Sequence, residues 1–457
     1  MYRFRLYSLG CFAIIGLSAL LGSCGVKKAQ QAPIPPPIVV DVPPAVPSAV
    51  PKPDTKPKPD PVPTPPTSPK PQPHSLPPPI NLPKEEPHVI TTDKQTDIAL
   101  MLPIMAHQYR EGMNTDSLSD KSKMALEFYQ GFLCGLDHLR MQGIDLPVQV
   151  FDTENNPAKV SRLLADSLTM QHIDLIIGPI NNSELKETAA YAKRQKIYNI
   201  SPFSPATQNT KENPYYIIAS PPIETHCSAI YDYIQRSYAA KRIITVAGKR
   251  SNEQSLAALF SQRAATKPES SMQVLPLSYK TGITSAADLS TQMNPYERNI
   301  FIITDFADEA LIVDLTNKLN SLRNRYDISI FGMPNWIDLP NLPLDELANL
   351  DFHYTTPFFD TRSPEIERFR QDFYGKYRHY PTETAARAYD IITYFGAMQY
   401  QYGRQAGGKL SDKNGLFGNF KFRPVAGNTN KAITEYIENK YINIIRFRSD
   451  YVLEKVN

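Results

Sequence analysis

The sequence predicts an α/β chain built as two lobes, each a doubly wound parallel sheet, and three observations carry that prediction. Short apolar runs such as "IDLIIG" and "RNIFIITD" lack the in-out alternation of a half-buried strand, so both of their faces must be covered. These runs alternate with helical segments of similar length, the order that produces a parallel sheet. The rhythm then restarts after a crossing near "YYIIASPPIETH", and the ~360 residues involved are more than one hydrophobic core usually serves.

The chain opens with Arg3 and Arg5, an apolar run from Leu6 to Leu21, and "LGSC" at Leu21 to Cys24. A basic start, an apolar run too short for a comfortable membrane span and a small-residue site form a secretory signal over residues 1–23. "LGSC" also resembles the lipobox of bacterial lipoproteins, which implies Cys24 as the acylated first residue of the mature protein. Residues 24–95 follow as a linker. Between Ala32 and Pro87 lie about half of the chain's 42 prolines and almost no aromatic residues. Proline fixes φ and lacks an amide donor, so this stretch samples extended polyproline II at ~3.1 Å per residue, a reach on the order of 150 Å. It serves as a spacer, of a selected length or of none in particular.

The domain spans 96–457. "TDIALMLPI" reads as a buried strand, followed by a helix from about Ser119 to Gln142 in which Met124, Phe128, Phe132, Leu136 and Leu139 fall at helical spacing. "LPVQVFD" (strand), "PAKVSRLLADSLTM" (helix), "IDLIIG" (strand), "NSELKETAAYAKRQ" (helix) and "IYNIS" (strand) complete the first lobe, about 96–220 with part of 380–410. The second lobe, about 240–360 plus C-terminal segments, runs through "KRIITVAG", a helix near Glu253 to Ala264, "SMQVLPLS" and a helix near Ala286 to Met293. "RNIFIITD", a helix from Ala307 to Leu322 and "DISIFGM" close it.

Composition removes several function classes. A net charge of +3 on 457 residues, with no face-forming run of Lys and Arg, argues against a nucleic-acid partner. No Gly-x-x-x-x-Gly-Lys-Ser/Thr and no Gly-x-Gly-x-x-Gly occurs, so neither phosphate cradle is present. Gly-x-Ser-x-Gly is absent, and His226 and Cys227 are neighbours in sequence, which points their side chains apart. No His-x-x-x-His or Cys-x-x-Cys spacing suggests a metal, and no cofactor is implied. With Cys11 cleaved and Cys24 acylated, Cys134 and Cys227 remain, as two buried thiols or one bridge. A non-catalytic role is expected.

In open parallel sheets ligands bind beyond the carboxyl ends of the strands. The loops there, "DTENNP", "GPINNSE" and "SPFSPATQ", offer hydroxyls and amides, and each opens a helix whose first-turn amides can hold an anion. Asn181, Asn182, Ser183 and Thr207 either face a ligand or only cap helices.

With "IALMLPI", "IIGPINNSE", "IYNISPFSPAT" and the late pattern Phe369-x-x-x-Phe373-x-x-x-Tyr377-x-x-x-Pro381 leading to "AARAYD", the domain resembles type 1 periplasmic binding proteins of the leucine-binding kind. The resemblance implies a two-lobed fold in which Asn181, Asn182, Ser183, Ser204 and Thr207 hold the ligand's carboxylate. From the second lobe it implies Asp305 and Phe306, Asn335 and Trp336, and Phe358. Asp305 would take an ammonium group, or cap the next helix. Two function classes follow. One is a solute-binding lipoprotein that closes on an amino acid-like molecule and presents it to a permease. The other is an envelope regulator using the same fold for protein contact, as in outer-membrane lipoproteins that activate penicillin-binding proteins. Gly25 after the lipid-bearing cysteine, in place of aspartate, implies the outer membrane by analogy.

Overall fold

The computed structural model describes residues 97–110, 117–209, 211–238, 240–266, 272–334, 336–359, 362–427 and 430–457. The signal, Cys24, the proline-rich linker and Asn335 lie outside the described residues.

The first lobe begins with β1 (Asp97–Leu102), buried along its whole length, and continues through α1 (Asp120–Met141), β2 (Val148–Asp152), α2 (Pro157–Ala165) and α3 (Ser167–Met170). It goes on through β3 (Ile173–Ile177), α4 (Asn182–Gln195), β4 (Tyr198–Ser201) and β5 (Tyr216–Ile218). The chain then crosses to the second lobe: α5 (Ile223–Tyr238), β6 (Arg242–Val246), α6 (Ser251–Thr266), β7 (Gln273–Leu277), α7 (Ala286–Ser290) and β8 (Asn299–Ile303). α8 (Glu309–Leu322), β9 (Ile328–Phe331), α9 (Leu344–Ala348) and β10 (Phe352–Thr356) follow. A second crossing returns it to the first lobe for α10 (Pro364–Tyr377), α11 (Glu383–Tyr402), the short pair β11 (Lys413–Asn414) and β12 (Asn419–Phe420), β13 (Phe422–Ala426) and β14 (Thr434–Asn439). A third leads to β15 (Asn443–Phe447) and β16 (Leu453–Lys455).

The two sheets have matching strand orders, β13-β14-β5-β4-β3-β1-β2 and β16-β15-β10-β9-β8-β6-β7. Both are parallel except at one end, where β13 runs against β14, β15 against β10, and β16 against β15. The central strands β3 and β8 are buried at every residue, as unbroken apolar runs require. β2 is only partly buried because it is an edge strand, paired with β1 alone.

Helix α1 follows its periodicity: Phe128, Phe132, Leu136 and Leu139 are buried in the first-lobe core, and Met124 is half-buried. Three expectations shift in detail. The helix expected over 157–170 is two helices, because Asp166 adopts an extended ψ of 94° and accepts from Leu168 N and Thr169 N, opening α3 as its cap. The helix expected to Met293 stops at Ser290, and the one expected from Ala307 starts at Glu309 behind the Asp308 cap, whose side chain accepts from Leu311 N. Cys134 in the first lobe and Cys227 in the second are both free and buried.

Candidate functional site

The first-lobe rim is built where β3 ends. Gly178 sits at φ 93°, and a Cβ there would lie 2.2 Å from the Met101 carbonyl oxygen, so only glycine fits. Its backbone is fixed from both sides: Gly178 N donates to Ile200 O (2.9 Å), and Asn199 Nδ2 donates to Gly178 O (2.7 Å). This turn aims the start of α4. Asn181, the residue before that helix, does not cap it; its Nδ2 donates instead to Asn155 Oδ1 and to Glu184 Oε2 (3.2 Å). Asn155 in turn accepts from Lys121 Nζ at 3.2 Å. Glu184 is fully buried, and burial pushes its carboxyl above the ordinary range against the pull of the Asn181 hydrogen bond.

Asn182, exposed, accepts from Ser204 Oγ through its Oδ1, and Ser204 Oγ also accepts from Ala206 N (3.2 Å). The structure therefore brings Asn181, Asn182 and Ser204 together by bonding the loops after β2, β3 and β4 to one another. Ser183 is exposed in the first turn of α4, and Thr207 is half-buried.

The second-lobe rim is constructed differently. Asp305 follows β8 and is 1% exposed; its Oδ1 accepts from Ala307 N (2.9 Å) and Asp308 N (2.7 Å), closing the turn ahead of α8. Its backbone oxygen accepts from Trp336 Nε1 at 2.8 Å. Trp336 is 0% exposed and stacks on Phe352 with ring centroids 5.7 Å apart, so the indole is a core support beneath Asp305 and does not face the cleft. Phe306 is half-buried against the same core. Gly248, after β6, is wedged between two buried carboxylates: a Cβ there would meet Asp305 Oδ2 at 2.0 Å and Glu253 Oε2 at 2.2 Å.

Between the lobes, the second crossing docks on the first lobe. Phe358 forms an isolated bridge with Gly418 and stacks on Phe417 at 5.5 Å. A cavity of about 30 Å³ beside it, lined by Phe358, Pro202, Arg387, Asp390, Asn439 and Phe420 among others, has room for little more than water. Arg387 pairs with Glu383, donates to Ser220 Oγ (3.2 Å) and lies over the Phe203 ring. Asp390 accepts from Leu416, Phe417 and Gly418 N at 2.7, 3.0 and 2.7 Å; burial pushes its carboxyl up to about 6, and the three amides pull the other way. The sequence reading did not single out this pair, although an arginine and an aspartate one turn apart on a mostly apolar helix are a legible signal.

Residues 112–403 match the family model described as periplasmic binding protein. The chain belongs to the periplasmic binding protein family. Its solved neighbours include an ABC-type branched-chain amino acid transporter of Rhodopseudomonas palustris, 14% identical with a TM-score of 0.53, the match covering 79% of this chain and 95% of that one. A branched-chain amino acid ABC transporter periplasmic ligand-binding protein of Burkholderia xenovorans is 11% identical with a TM-score of 0.53, over the same 79% and 95%. Full-length LpoA of Haemophilus influenzae is 15% identical with a TM-score of 0.51, over 79% of this chain and 59% of that one. At such identities the likeness is one of fold. No curated protein matches the chain.

The two matched sheets and three crossings are the two-lobed architecture of a periplasmic binding protein. Members of the family are binding proteins, and membership implies a periplasmic or envelope location. Among the described residues no helix is long and apolar enough to cross a membrane, and no three His, Cys, Asp or Glu side chains group as metal ligands.

Proposed function

We propose that this periplasmic binding protein is a non-catalytic, lipid-anchored lipoprotein of the outer membrane, working as an envelope regulator whose domain contacts a peptidoglycan synthase. The observation that carries this reading is the state of the cleft side chains. Asn182 bonds Ser204, Asn181 bonds Asn155 and Glu184, and the Asp305 carboxylate holds its own turn. A carboxylate solute would have to displace these bonds before making its own, and each exchange returns little net free energy. The proline-rich spacer supports the reading, since its reach lets an anchored domain meet a distant partner.

A second reading, capture of a small amino acid-like solute for a permease, draws support from one observation. Ser183 is exposed in the first turn of α4, a 14-residue helix whose unpaired amides favour an anion. Under that reading Asn181, Asn182, Ser183, Ser204 and Thr207 hold the carboxylate, Asp305, Phe306 and Asn335 face it from the other side, and Phe358 contributes from the second crossing; Trp336 acts only by supporting Asp305.

Calorimetry of the 96–457 domain against an amino acid panel separates the two. We expect no heat and no melting shift from any member, and a saturable response would favour capture. In cross-linked envelopes the full chain is expected to bring down a wall-synthesis protein; recovery of a permease instead would overturn the regulator reading.

A further inference from the structure

The geometry points to an interlobe staple: Glu438 and Asn439 of β14 tie the first and third crossings together and hold the lobes at one angle. Glu438 belongs to the first-lobe sheet through the pairing of β14 with β5 and is 2% exposed. Its Oε1 accepts from Thr225 Oγ1, a residue of α5, whose apolar face packs in the second-lobe core. Lys440, on the third crossing, reaches both partners, with Nζ 2.9 Å from Glu438 Oε1 and 3.3 Å from Thr225 Oγ1.

Asn439 completes the tie. Its Nδ2 donates to Ala219 O on the first crossing (3.3 Å) and to Asn419 O (3.1 Å), while its Oδ1 accepts from Lys421 N (2.9 Å) and Tyr441 N (3.1 Å). All four of its amide hydrogen bonds are thus made, two to the first and third crossings and two to the first-lobe stretch around β12. The second crossing is held separately, by Phe358 on the 416–418 loop whose amides Asp390 accepts.

A freely closing two-lobed protein absorbs rotation in a few hinge dihedrals. Here rotation would separate Thr225 from Glu438 and leave a buried carboxylate short of a partner, which is the costly way to break a charge-assisted bond. Because Thr225 and Glu438 sit on different lobes, rupture of their bond is coupled to the interlobe angle.

The test is a spin-label distance measurement on the chain carrying Lys186→Cys on α4 and Asn317→Cys on α8, both exposed positions; among the described residues the native thiols, Cys134 and Cys227, are buried. A single narrow distance is expected. Adding Thr225→Val, which removes one hydroxyl and little volume, should shift and broaden it, and Glu438→Gln should do so further while circular dichroism stays unchanged. If Glu438→Gln fails to fold, Thr225→Val carries the test. Identical distributions in the folded variants, or two populations in the chain with an intact staple, would overturn the proposal.

Discussion

The two rims of the cleft use similar polar residues to different ends. In the first lobe, Asn181, Asn182 and Ser204 bond mainly to other side chains on neighbouring loops, and Asn182 remains exposed. In the second lobe, Asp305 is buried, bonds its own backbone, and is propped by an indole in the core. A polar residue after a strand can serve a ligand when its present bonds can be exchanged. When those bonds hold a turn over packed aromatic rings, the residue belongs to the fold.

The largest contrast between the rims should come from Trp336→Ala. It empties a fully enclosed site and removes the donor to Asp305, for a loss of about 3–5 kcal/mol, read as a lower urea midpoint. A midpoint equal to that of the parent chain would erase the distinction between the rims.

Asp390, at the junction between them, gives a second measurement through pH. Its folded-state value is raised from 3.8 to about 6, so between those values the folded chain keeps a proton that the unfolded chain releases. Stability should therefore fall as pH rises through this window, by at most about 3 kcal/mol, and level off above it. Asp390→Asn should lack that slope in thermal midpoints measured from pH 4 to 7; a variant retaining the slope would assign it to another group.

The smallest effect belongs to the first-lobe rim. Ser204→Ala removes one bond to an exposed asparagine and one weak acceptor for Ala206 N, and should cost about 1 kcal/mol, since water can replace the lost hydroxyl at Asn182. A loss as large as that of Trp336→Ala would mean both rims are structural.

Much of the fold was legible because the central strands are unbroken apolar runs and the helices between them carry caps and stripes. The turn at Gly178 was legible too, as a glycine before proline after a buried strand. The strands at the joined ends of the sheets were harder. "TEYIENK" mixes Glu, Asn and Lys with single apolar residues because it runs along the junction, where partners are polar, so its pattern matches neither a buried strand nor an amphipathic one. Trp336 shows the limit of mapping by position: the residue follows a strand as the resemblance requires, but which way a ring turns depends on packing against Phe352, and no local pattern encodes that. Arg387 and Asp390 stood within a quoted segment, yet their partners, Ser220 and the 416–418 amides, are distant in sequence.

The triple passage between lobes has a consequence for biogenesis. Asn439 bonds a residue 220 positions earlier, and β14 and β15 cover the edges of β5 and β10 in the same short stretch of chain. As the polypeptide is made, both half-built sheets wait with an open edge until this final segment arrives. Those edges are templates for wrong pairing while they remain bare. A chain cut short before Phe422 would keep most of its hydrophobic residues and still be unable to finish either lobe.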